Sequence, residues 1–155
     1  MNKFLLTVHI LAAIICVGPV TVAASMFPPS ARRMLTAETP SADVLGVLHR
    51  ISRIYAYAAL AVPVFGLAVA GGIGVMDEAW LIVSIVLTVA SGAVLGFLVL
   101  PAQSRVLAAA DAAVEVRQGL VPSARRLSMT TGSFGLLWLV VLVLMVVRPG
   151  HHAGG

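Results

Sequence analysis

Four stretches of this chain are apolar for about twenty residues each, and none of them contains Asp, Glu, Lys or Arg. They run over residues 4–26, 54–73, 79–100 and 129–147. A bilayer core about 30 Å thick is crossed by about 20 helical residues at a rise of 1.5 Å each. Each stretch is therefore long enough to cross a membrane, and we predict an integral membrane protein.

The composition favours one membrane domain and leaves little chain for a soluble one. Of 155 residues, 60% are hydrophobic and only 10% are charged, whereas a soluble domain carries about 25% charged residues. We predict a single all-α polytopic domain over 1–155, an up-down bundle with spans at about 4–26, 47–73, 79–101 and 128–148. The first span is predicted to be retained, because its apolar run exceeds the about 7–15 residues of a signal-peptide core.

The basic residues alternate between the two sides of this arrangement. Eight arginines lie in or beside the first and third loops, and the other side holds only Lys3 and Arg148. The positive-inside rule then places both loops in the cytoplasm and both termini outside. We predict a multi-pass protein of the bacterial cytoplasmic membrane.

Six of these arginines are candidates for contact with anionic lipid head groups, and the simpler alternative is topological anchoring by snorkelling side chains. They are Arg32, Arg33, Arg50, Arg53, Arg125 and Arg126. The net charge of +4 then reflects the membrane surface, and no nucleic-acid partner is predicted.

Prolines predict where the spans bend and end. Pro28 and Pro29 should end the first helix near Met26, since proline cannot continue the hydrogen-bond ladder. Gly18-Pro19 and Pro63 lie within spans and predict kinks.

A further helix is predicted after the third span. Apolar residues recur at three- and four-residue intervals beyond Pro101, with charged residues between them. This pattern predicts a cytoplasmic amphipathic extension over about 102–118, ended by Gly119 and Pro122.

Small residues in two spans predict close helix packing. Gly92 and Gly96 lie one turn apart in the third span, and Gly66 provides a similar surface in the second. Such positions let two backbones approach closely when lipid offers no hydrophobic contrast. Two alternatives remain: a face for a second copy or a partner, or packing inside the bundle itself.

His9 is the most informative polar residue of the spans, because a histidine within a span tends to be functional. It could bind haem or copper, relay a proton or form a hydrogen bond with a neighbouring helix. A haem shared with His49 is excluded, because the two histidines fall at opposite membrane faces. His9 could instead meet His151 or His152 in a copper or zinc site, the alternative being interface and tail roles for all three.

No catalytic motif accompanies these residues, and we predict that the protein is not an enzyme. The spans contain no acidic side chain for ion coupling. A pore lined by Thr21, Ser84, Thr88, Ser91, Thr130 and Thr131 remains an alternative. The single cysteine, Cys16, is predicted to be a buried structural thiol.

The opening sequence from Val8 to Gly18, VHILAAIICVG, is similar to the start of small bacterial four-span predicted integral membrane proteins of unknown function. More distantly it resembles copper-resistance D-like membrane domains. The first resemblance implies four spans and no established reaction. The second implies haem or copper bound by further histidines in later spans, which spans three and four here do not contain.

Three functions follow from these features. The first is a non-enzymatic accessory or self-associating component of a membrane complex, without a cofactor. The second is a haem- or metal-handling protein that uses His9, and the third is a small transporter or pore.

Overall fold

Four long helical rods make up the structure, a computed structural model that describes residues 2–150 and the side chains from Lys3 onward. Each rod is long and apolar enough to cross a membrane; they span Lys3–Thr36, Asp43–Ile73, Ala79–Ala108 and Val114–Val147. The described part of the chain contains no β-strand. The predicted all-α polytopic bundle of four spans is confirmed.

Each rod is assembled from shorter helices. The first comprises α1 (Asn2–Ala12), a π-helical turn (Ala13–Val17) and α2 (Gly18–Thr36), and the second comprises α3 (Asp43–Ala58) and α4 (Ala61–Ile73). The third comprises α5 (Ala79–Ala93), a π-helical turn (Val94–Val99) and α6 (Leu100–Ala108). The fourth comprises α7 (Val114–Gly119) and α8 (Val121–Val147).

The interruptions within rods one to three lie just before prolines. Pro63 has no N–H to donate to the carbonyl of Ala59. The helix is interrupted here: α3 ends at Ala58 and α4 begins at Ala61. The N–H of Val62 bonds to the Ala59 oxygen at 3.0 Å instead. The π-helical turns likewise precede Gly18-Pro19 and Pro101. The structure thus has local interruptions where the sequence predicted kinks, at Gly18-Pro19 and Pro63, and the kinks themselves stay predictions.

The first helix does not stop near Met26, as its prolines predicted, but continues through Pro28 and Pro29 to Thr36. Phe27 is fully buried, Pro28 is buried beside it, and α2 packs against both α3 and α8. Each internal proline costs about 3 kcal/mol, yet the helix continues, with Phe27, Pro28 and Ala31 buried in this segment. Tertiary packing therefore overrides the local signal.

The amphipathic extension predicted over 102–118 is not one helix. It divides into α6, which continues the third rod, and the short α7, with a turn at residues 109–113 between them. The turn brings α7 against α2, where Arg117 Nη1 donates hydrogen bonds to the carbonyls of Met34 (3.2 Å) and Ala37 (3.0 Å). The contact with α2 favours the break over a continuous helix.

The two ends of the bundle are packed differently. We call the end with residues 37–42 and 109–113 the arginine end, and the end with residues 74–78 and the last turn of α8 the terminal end. The half of the bundle next to each end is called the arginine half or the terminal half. A large core cluster that includes Phe27, Leu45, Val106 and Leu127 occupies the arginine half. The terminal half has only a small cluster of Ala70, Val75, Trp80 and Leu81. That loosely filled half contains the candidate site.

Candidate ligand cavity at the terminal end

An open cavity of about 630 Å³ lies between the rods in the terminal half. Helices from all four rods line it, and most of its wall is apolar, including Ile10, Val69, Trp138 and Leu142. Along α4 the lining runs from Val62 to Ile73, which corresponds to about 16 Å at 1.5 Å per residue. His9 and Arg148 are the ionisable residues of this wall.

His9 is held in the cavity wall by a hydrogen bond to the backbone. Its Nδ1 lies 3.0 Å from the carbonyl oxygen of Val62. Because a carbonyl can only accept, this bond requires the proton on Nδ1. A neutral ring then presents Nε2 as a hydrogen-bond acceptor or metal ligand.

Gly66 makes the room that this imidazole occupies. A Cβ atom at Gly66 would lie 2.9 Å from His9 Cε1 and 3.3 Å from Nδ1. The small residue that the sequence assigned to helix packing therefore faces His9, where α1 packs against α4.

Arg148 and Trp80 form the rim. The Arg148 guanidinium lies over the Trp80 ring at 5.6 Å from its centroid, within the range of a cation–π contact. Arg148 Nε donates to the carbonyl of Met145 at 3.4 Å. Trp80 is 6% exposed, and its indole N–H is buried without a hydrogen-bond partner among the residues the structure describes.

The backbone of Arg148 is held in an unusual conformation. It is the C-cap of α8 with φ 46° and ψ 59°, in the left-handed region. Within residues 2–150 it is the one non-glycine residue with positive φ. The left-handed conformation costs a residue with a Cβ about 1–2 kcal/mol, and the following Pro149 favours an extended residue before it. Arg148 adopts this conformation where its guanidinium lines the cavity beside Trp80.

Gly92 and Gly96 do not pack inside the bundle. Both are exposed, and a Cβ at either would meet nothing within 4 Å. The structure therefore shows no close contact between the four helices at these two positions. Their role as a face for a second copy or a partner stays a prediction.

The arginines predicted to contact lipid head groups share one property. Arg32, Arg33, Arg50, Arg53, Arg125 and Arg126 are all exposed. This agrees with anchoring, but lipid contact itself stays a prediction. Arg117, which lies between the third and fourth spans but is not one of these six, is 2% exposed and bonded to α2.

The histidines lie apart from one another. His49 Nδ1 donates to Gln103 Oε1 at 3.1 Å, and Gln103 Nε2 donates to Ser52 Oγ at 3.5 Å, in the arginine half. His9 contacts Val62 in the other half. The two histidines therefore lie in opposite halves of the bundle, as the sequence predicted when it excluded a shared haem. His151 and His152 lie outside the described residues. Between residues 2 and 150 there is no group of three metal-binding side chains.

The hydroxyls proposed for a pore mostly bond within their own helices. Thr21, Ser84, Thr88 and Thr130 each donate to the carbonyl four residues earlier. The hydroxyls of Ser91 and Thr131 are buried and have no hydrogen-bond partner among the residues that the structure describes. Cys16, predicted to be buried, is a free thiol that is only half-buried.

Sequence reasoning missed Gln103, Arg117 and the pairing of Arg148 with Trp80. Gln103 had a signal, since it is a polar residue spaced four and three residues from the core positions Val99 and Val106. Arg117 and Arg148 gave no signal beyond their charge, because their partners are distant in sequence.

The fold and composition define the class: a four-span integral membrane protein. A family model described as "Predicted integral membrane protein (DUF2269)" matches residues 3–149. The chain belongs to this family, in agreement with the resemblance of its opening sequence. No curated protein and no solved structure matches it.

Proposed function

We propose that this protein is a non-enzymatic binding component of the membrane, whose terminal cavity holds a small molecule with a largely apolar body. The fixed position of His9 carries the proposal. An imidazole oriented by a backbone carbonyl, with its second nitrogen available, lines an apolar cavity of about 630 Å³. Binding sites for small molecules are typically about 300–1,000 Å³ and largely apolar, with a few placed polar groups.

The chain contains its own reporter for this site. It has two tryptophans, and both Trp80 and Trp138 line the cavity. A bromine atom quenches indole fluorescence on contact, so a terminally brominated dodecanol can be titrated into bilayers that contain the protein. We expect saturable quenching, superimposed on the linear quenching by probe dissolved in lipid.

Filling the cavity should remove the saturable part. Gly66→Leu places a side chain against His9, and Ala13→Phe reduces the cavity from another wall and serves if the first variant does not fold. Gly71→Leu is the matched control, since Gly71 lies on the same helix, exposed, with nothing within 4 Å. Two outcomes would contradict the proposal: quenching in the wild type that is linear with no saturable part, or saturable quenching that a folded cavity variant leaves unchanged.

A haem is one possible occupant, and the geometry of His9 favours testing it. Metal-binding histidines usually donate their other N–H to a carbonyl or carboxylate, as His9 does to Val62. A Soret band in the purified protein that is lost in His9→Gln would assign the cavity to haem. Unchanged spectra and metal content in His9→Gln would exclude a haem bound through His9.

Self-association is a second candidate function, favoured by the open surface at Gly92 and Gly96. Both glycines face outward with free space over them, so a second copy could approach the backbone there. Gly92→Leu should shift the protein to smaller species in detergent chromatography. Gly71→Leu should leave the elution volume as it is, and identical profiles for all three proteins would discard the idea.

A further inference from the structure

We infer that the occupant of the terminal cavity is a single-chain amphiphile with an anionic head, its chain in the cavity and its head at Arg148. The inference rests on the proposed function and specifies its ligand. Arg148 provides the charge complementarity. Its side-chain hydrogen bond to Met145 uses Nε. Within residues 2–150 the Nη groups have no hydrogen-bond partner, and a guanidinium can bind a carboxylate or phosphate with two hydrogen bonds.

The position of Arg148 supports a ligand role. A residue in the left-handed conformation at a helix C-cap is usually glycine, yet here it is an arginine followed by proline. Such strain persists when the surroundings impose it, often at ligand sites. Stacking on Trp80 then holds the guanidinium at the rim.

The length of the cavity fits an alkyl chain of about the length of dodecanol. Its lining along α4, from Val62 to Ile73, extends over about 16 Å, which is about half of a 30 Å hydrocarbon core. An amphiphile whose head remains at the membrane surface places its chain over this depth. His9 lies on the chain-lining wall, where its Nε2 could accept a hydrogen bond from a polar substituent.

The test compares probes that differ only in the head. A terminally brominated dodecanoate, dodecyl phosphate and dodecanol are titrated against tryptophan fluorescence in bilayers, at about pH 8.5, well above the ordinary carboxylic pKa near 4. We expect the wild type to bind at least one anion about tenfold or more tighter than the alcohol, as hydrogen bonds to charged groups of about 1.5–3 kcal/mol imply. The tighter of the two anions identifies the head as carboxylate or phosphate.

Arg148→Gln should remove this preference while saturable binding of the alcohol persists. Arg126→Gln is the matched control, because it removes the same charge from an exposed position outside the cavity lining. If Arg148 has only a structural role beside Trp80, Arg148→Gln lowers the melting temperature and leaves the ratio of affinities unchanged.

The outcomes separate the two proposals. Saturation by the alcohol with no preference for either anion, or a preference that survives in Arg148→Gln, overturns the anionic amphiphile and leaves the cavity as a binding site. A haem spectrum that depends on His9 also overturns it. Absence of saturable quenching by every probe contradicts the proposed function as well.

Discussion

At the scale of single residues, polar side chains inside the bundle are positioned by partners far away in the sequence. His9 is 53 residues from its hydrogen-bond partner Val62, and the space for its ring exists only because residue 66 is glycine. A buried polar group that loses its partner costs about 1–3 kcal/mol. These pairings therefore have measurable consequences for stability.

Gly66→Ala is expected to destabilise the protein, because the new Cβ would displace the His9 ring from Val62. The lost hydrogen bond is worth about 1 kcal/mol, and thermal or denaturant unfolding in detergent measures it. In a His9→Ala background the same substitution should become neutral or stabilising, since alanine is the better helix former by about 0.5–1 kcal/mol. Gly71→Ala, made in open space on the same helix, should not destabilise in either background; equal effects at both glycines would disprove the assignment.

Gln103→Leu is expected to lower the free energy of unfolding by about 1–3 kcal/mol, because it leaves the His49 and Ser52 side chains without their partner. Gln118→Leu is the control, since Gln118 is exposed on α7 and surface substitutions usually change stability by less than about 0.5 kcal/mol. Similar unfolding curves for the two variants would show that the buried cluster contributes nothing.

At the scale of helices, the ends are fixed by contacts with other elements. The last carbonyls of a helix lack intrahelical partners, and Arg117 from α7 supplies donors to Met34 and to the cap residue Ala37 of α2. A cation at a helix C-terminus also interacts favourably with the helix dipole. The short α7 thus stabilises the end of a helix that its own prolines would be expected to shorten.

Arg117→Met should loosen the end of α2 and lower the free energy of unfolding by about 2–3 kcal/mol, as loss of hydrogen bonds from a charged donor implies. Limited trypsin digestion should then cut faster after Arg32 and Arg33, which lie in the last turns of α2. Arg105→Met, at an exposed position of α6, should leave cleavage at these sites unchanged. Unaltered digestion of Arg117→Met would exclude the capping role.

At the scale of the whole molecule, the two halves of the bundle differ in how completely their interior is filled. The arginine half contains the large core cluster, whereas the terminal half contains the cavity. Ligand sites are commonly placed in such less completely filled parts of helix bundles. The arginine half can therefore maintain the fold, which leaves the other half available for the ligand that we propose.

The orientation of the molecule in the membrane stays a prediction of the positive-inside rule, and single cysteines can test it. In a Cys16→Ser background, Met76→Cys marks the terminal end and Ala113→Cys the arginine end, both at exposed positions. On intact cells a membrane-impermeant maleimide should label position 76, and label position 113 only after the membrane is opened. The reverse pattern would invert the orientation.

Much of the fold follows from the sequence alone. Four uncharged apolar stretches determine the number of spans, because burying a charged side chain in the bilayer is costly wherever it faces lipid. The irregularities near Pro63 and Gly18-Pro19 were likewise predictable, since a proline removes a backbone donor in any context.

The tertiary structure decided what local patterns could not. Packing of Phe27 carried α2 through Pro28 and Pro29, and contact with α2 divided the predicted helix over 102–118. The cavity, with His9 beside Gly66 and Arg148 over Trp80, depends on residues brought together from different rods. Distances between such residues depend on how the helices pack against one another, which the periodicity of a single helix does not specify.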